Sequence, residues 1–94
     1  MRPLITHVLK SGSRFRKQQV LDIAKIRDIE HLRVGKNRYE LYITYRMDNH
    51  PVVGEYDASI ITRYKTKNDC IREVNAIEKK QDRLWDYISR GLMN

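Results

Sequence analysis

Residues 38–47 read Arg38-Tyr39-Glu40-Leu41-Tyr42-Ile43-Thr44-Tyr45-Arg46-Met47, and the alternation within them decides the fold. Tyr39, Leu41, Ile43, Tyr45 and Met47 take every second position, with Arg38, Glu40, Tyr42, Thr44 and Arg46 between them. Successive side chains of a strand point to opposite faces. The pattern therefore specifies a half-buried antiparallel strand with one apolar face and one polar, partly aromatic face. Gly35-Lys36-Asn37 supplies a tight turn from a preceding strand over residues 29–34. Asp48-Asn49-His50-Pro51 reads as a second turn, where Asp and Asn bond the local backbone and Pro51 opens the return. Val52, Val53 and Tyr56 then supply the return strand, and residues 59–64 another strand or its continuation.

Thr66-Lys67-Asn68-Asp69 fits a capping box, which predicts a helix over residues 67–91. Cys70, Val74, Ile77, Leu84 and Ile88 form one stripe, interrupted by Gln81 and widened by Ile71 and Trp85. Gly91 is the expected stop, with Arg90 placed well for the helix dipole. A helix of about 24 residues is roughly 36 Å long, more than a small sheet needs. Its far half, with Trp85 and Tyr87, is therefore expected to overhang the sheet. Upstream, Leu4, Ile5, Val8 and Leu9 suggest a short strand ended by Ser11-Gly12-Ser13. Residues 14–26 fit neither helical nor alternating periodicity, and a short helix is the expectation there. The fold class is α+β: a small antiparallel sheet of three to five strands packed against a long C-terminal helix, in one domain.

The chain has 94 residues and a formal net charge of +7. The whole excess lies in residues 1–38, where Arg2, Lys10, Arg14, Arg16, Lys17, Lys25, Arg27, Arg33, Lys36 and Arg38 face only Asp22, Asp28 and Glu30. Such a field attracts polyanions or acidic protein surfaces and speeds encounter more than it shapes the fold. No apolar run approaches the roughly 20 residues of a membrane span. The opening residues lack a signal-peptide pattern. Cys70 is the one cysteine, which excludes an internal disulfide and a Cys-rich zinc site. The expected location is a reducing compartment, the cytoplasm of a bacterial or host cell.

Catalytic chemistry has little to stand on. His7, His31 and His50 share no metal-ligand spacing with one another or with Cys70, and each reads as a surface or turn histidine. The four glycines form no phosphate loop and no nucleophile elbow. Cys70 reads as a small buried hydrophobe. Basic and aromatic residues are the stronger signal. Arg14, Phe15, Arg16 and Lys17 form a compact cationic run, Arg38, Tyr42 and Arg46 share the polar face of the central strand, and Arg63, Tyr64 and Lys65 lie on a nearby one. Cations give salt-dependent phosphate affinity, and tyrosine faces can stack on unpaired bases. The plain alternative is a solvated arm and tyrosines that cover the edge of a thin core.

Two resemblances accompany these residues. Strands followed by a helix introduced by Lys65-Thr66-Lys67-Asn68-Asp69 resemble the AP2-like and integrase N-terminal DNA-binding domains over about residues 30–80. That resemblance implies a three-stranded sheet entering the major groove, although the glycine and tryptophan signposts of those strands are missing. Leu32-Arg33-Val34-Gly35 through Arg38-Tyr39 to Tyr45-Arg46-Met47-Asp48 looks like the core strand segment of RelE/ParE-type toxins. It implies a ribosome-dependent ribonuclease, but the chain before it is too short for that family's two leading helices, and a helix comes last.

Together these features describe a small, basic, non-enzymatic binding protein with DNA or RNA as first-choice partner and no cofactor or metal. Arg14, Arg16 and Lys17 are the expected phosphate contacts, assisted by Arg38 and Arg46. The alternative is an interaction protein of the phage or mobile-element type, whose basic surface docks on an acidic host protein and inhibits it. In either case Trp85 and Tyr87 are the expected anchors for a partner or for self-association.

Overall fold

The computed structural model describes residues 4–10 and 18–93. Arg14, Arg16 and Lys17 lie outside the described residues. Five strands and one long helix follow in the order β1 (Thr6–Lys10), β2 (Gln18–Asp22), a 3-10 turn (Ile23–Lys25), β3 (Ile26–Gly35), β4 (Arg38–His50), β5 (Gly54–Tyr64) and α1 (Lys67–Met93). β1 and β2 form a two-stranded antiparallel sheet, and β3-β4-β5 a three-stranded antiparallel sheet with β4 in the centre. The fold is α+β, as the alternation and the helical stripe require.

The central strand packs as its sequence dictates. Leu41 and Ile43 are fully buried, and Tyr39 and Tyr45 close over the same core. Across the sheet Ile43 stands between Ile29 of β3 and Ile60 of β5. Cys70, Val74, Ile77 and Leu84 of α1 complete this core together with Leu9, Leu21, Ile23 and Ile26. The Thr66 hydroxyl accepts from the Asp69 amide at 3.1 Å, so the threonine half of the expected capping box is formed.

Three expectations need correction. The stretch read as a helix over residues 14–26 contains strand β2 and then a 3-10 turn. Asp22 caps that turn by accepting from the Ala24 amide at 3.0 Å. The turn is what shifts the apolar parity between Ile23 and Ala24: Leu21 is buried before it, Ile23 at its first residue and Ile26 just after it. Second, β4 runs on through His50, and the reversal falls on Pro51, Val52 and Val53. Proline lacks the N–H needed to extend the ladder, and Gly54 supplies a positive φ of 73° where the return begins. Val52 and Val53 are thus exposed turn residues, not strand. Third, the helix passes through Gly91 to Met93, because Gly91 does not adopt the left-handed conformation that would end it.

The far half of α1 does not simply overhang. Leu84 is buried and Ile88 packs against the core, so this half of the helix still rests on the body of the protein. The N-terminal strand contributes a polar tether to the middle of the helix. Lys80 Nζ donates to the Thr6 carbonyl at 3.1 Å and to His7 Nδ1 at 3.0 Å, and His7 Nε2 meets Glu73 Oε1 at 2.5 Å. An ammonium can only donate, so Nδ1 is the acceptor and Nε2 carries the proton given to Glu73. His7 is therefore a buried structural histidine rather than a surface one. Among the described residues no helix is long and apolar enough to cross a membrane.

Candidate nucleic-acid interface

The three-stranded sheet has one face on the core and one without cover. Register places Asp28 and Glu30 of β3, Glu40, Tyr42, Thr44 and Arg46 of β4, and Asp57, Ser59, Ile61 and Arg63 of β5 on the outer side. Much of the charge on this side is internally matched. Arg63 Nε lies 3.5 Å from Glu40 Oε1, Arg27 Nε 3.8 Å from Asp57 Oδ1, and Arg46 pairs with Glu55. Tyr42 donates its phenol to Glu40, and that bond holds the phenol above its ordinary pKa. Asp28 and Glu30 have no ion pair among the described residues, so the middle of the outer face carries no surplus of positive charge.

One end differs. The β3–β4 hairpin turns at Lys36 and Asn37, with Asn37 in the left-handed conformation at φ 56°. Arg33 and Gly35 pair with Tyr39 and Arg38, while Tyr64 and Arg63 of β5 pair with Tyr39 and Glu40. This register brings Arg38 and Arg63 to the outer side of the hairpin end, with Lys36 in the turn and Lys65 just past β5, while Arg33, opposite Tyr39, lies on the other face. A groove of about 890 Å³ opens there, lined by Arg38, Arg63 and Lys65 with Glu40 as its single carboxylate. Of the three cations, Arg63 is the one with an ion pair among the described residues. Val34 and Ile61 form half-exposed apolar walls, and Tyr39 and Tyr64 line the groove while also packing on the core. Burial, with a smaller contribution from the Glu73 charge, pushes the Tyr64 phenol up, so it stays a neutral hydrogen-bonding group at physiological pH.

The structure thus separates residues that the sequence grouped together. Arg38 sits at the basic end, with Arg63 and Lys65 beside it. Arg46 sits eight positions along β4, where Glu55 and Asp48 (3.8 Å) hold its guanidinium. Nearby, Lys25 Nζ binds Asp48 Oδ2 at 3.0 Å, and this bond raises its pKa. A small polar notch lined by Arg27, Arg46, Glu55, Tyr56 and Asp57 is consequently balanced in charge. Sequence reasoning missed Lys36, which the hairpin signal at Gly35-Lys36-Asn37 places at the basic end.

Trp85 and Tyr87 face outward from α1, with Trp85 66% exposed. They lie apart from the groove-lining residues in the chain and contribute no lining to it. Among the described residues no group of three or more His, Cys, Asp or Glu side chains could hold a metal ion. Cys70 is buried on the helix stripe, and burial raises its thiol pKa. No family model, no curated protein and no solved structure matches this chain.

Proposed function

We propose that this protein is a non-enzymatic nucleic-acid-binding protein that holds phosphates at the hairpin end of its three-stranded sheet. One observation carries the reading. Arg38, Arg63 and Lys65 converge on a groove whose single carboxylate, Glu40, pairs with Arg63, while the rest of the outer face carries no surplus of positive charge. Arg38 and Arg63 stand on paired strands and Lys65 on the residue after β5, so their backbone positions are set before phosphates bind. Lys36 flanks the array at the turn. Arg14, Arg16 and Lys17, in the segment joining the paired ends of β1 and β2, are expected to add further phosphate contacts. Arg46 is expected to contribute little, because binding would first have to break its pair with Glu55.

The test is a titration of labelled oligonucleotides by fluorescence anisotropy at about 50 mM salt, where non-specific electrostatic binding is strong. The parent should bind. An Arg38→Gln, Lys65→Gln variant should bind more weakly on every sequence, and Arg46→Gln should bind like the parent. No affinity for DNA or RNA in the parent would refute the reading.

A second reading has its own support. The β4–β5 ribbon ends in Val52, 85% exposed, beside an exposed Val53, and Trp85 stands free on the helix. Both are apolar projections suited to docking on a protein, which favours an interaction protein that inhibits or redirects a host partner through these residues.

A further inference from the structure

We infer that the strand held at the hairpin end is unpaired, with a base seated on Ile61 and Val34 between Arg38, Arg63 and Lys65. This rests on the nucleic-acid reading of the same groove and states which form of nucleic acid fits it. Size is the first argument. The groove, about 890 Å³ in volume and confined to one end of the sheet, has room for a single nucleotide and offers no long track for a rod-like duplex.

Surface chemistry is the second. Ile61 is 50% and Val34 43% exposed, and both line the groove beside the three cations. A duplex contact through phosphates would leave them in water. An unpaired base offers a free π-face, and single-strand sites combine cationic grooves with apolar or aromatic platforms for that reason. Tyr39 and Tyr64 line the groove too and pack on the core, which anchors its floor.

Charge beyond the groove is the third argument. Duplex DNA carries one charge per about 1.7 Å of axis along a stiff rod. Laid along the sheet, it would bring phosphates onto Asp28, Glu30 and Asp57 of the outer face. A flexible strand can cross the basic end and turn away from these carboxylates.

The experiment compares one labelled mixed-sequence 12-mer as a single strand and as its duplex, in DNA and in RNA, by anisotropy at about 100 mM salt. The single strand should bind at least about tenfold more tightly than the duplex. Ile61→Ser and Val34→Ser, both at half-exposed positions, should each weaken single-strand binding about fivefold or more, while duplex affinity stays unchanged and the melting temperature falls by less than about 8 °C. Duplex binding equal to or tighter than single-strand binding would overturn this inference and leave the phosphate reading standing. So would serine variants that bind the single strand like the parent. Absence of binding to all four probes would overturn both.

Discussion

Truncation of the same side chain on opposite faces of the sheet gives the sharpest test of the fold. Ile43 is 0% exposed between Ile29 and Ile60, whereas Ile61 faces outward at 50% exposure. Ile43→Ala removes buried carbons and leaves a space that flanking β3 and β5 cannot close without breaking their pairing. The expected loss is about 2–5 kcal/mol. A domain of this size carries a total stability of about 5–14 kcal/mol, so the loss is a large part of the whole. At roughly 4–8 °C per kcal/mol it lowers the melting temperature by about 10 °C or more. Ile61→Ala removes the same atoms where half the side chain already meets water, and the expected loss is under about 1 kcal/mol. Urea unfolding followed by circular dichroism reads both. Ile43→Val, at about 0.5–1.5 kcal/mol, covers the case in which the alanine variant does not fold. Equal losses for the two alanine variants would show that the outer face is covered or that the register is shifted by one residue.

Three further outcomes are expected. Glu73→Leu leaves the buried His7 Nε2–H without its acceptor and should cost about 1–3 kcal/mol, whereas Glu78→Leu on the exposed helix surface should stay within about 0.5 kcal/mol; equal effects in urea unfolding would refute the polar tether. Trp85→Ala should leave stability within about 0.5 kcal/mol, and a loss above about 2 kcal/mol in dilute protein would show that the indole belongs to the core. Burial raises the Cys70 thiol pKa, so its contribution to stability is complete below the ordinary thiol pKa and is lost as pH rises through the raised value; native protein at pH 8 should therefore resist iodoacetamide until unfolded, and rapid stoichiometric alkylation would contradict this.

The legible parts of the sequence were those governed by one period. Residues 39–47 keep strict alternation, and the helix keeps its stripe from Cys70 to Ile88, so both elements and their mutual packing could be read from spacing. The stretch from Gln18 to Ile26 could not, because a strand, a 3-10 turn and a second strand follow within nine residues and no single period survives. The β4–β5 turn was misplaced for a related reason. Asp48 and Asn49 carry turn chemistry, yet Asp48 is engaged by Lys25, and the reversal waits for Pro51 and Gly54. His7 gave no signal, since its partners lie 66 and 73 positions away. The same nonlocality governs the basic groove: Arg38, Arg63 and Lys65 were legible as cations on or beside neighbouring strands, but their convergence at one end follows from register alone.

The central claim is that the cations at the hairpin end bind phosphate, and the salt dependence of affinity tests it most directly. Plotted as log affinity against log salt, single-strand binding by the parent should fall with a slope of about −2 or steeper, since each neutralised phosphate contributes about 0.7. Arg38→Gln with Lys65→Gln should flatten that slope by about 1.4, two contacts at 0.7 each, and Arg46→Gln should leave it unchanged. A parent slope near zero, or a slope that Arg46→Gln flattens while the Arg38, Lys65 pair does not, would contradict the account.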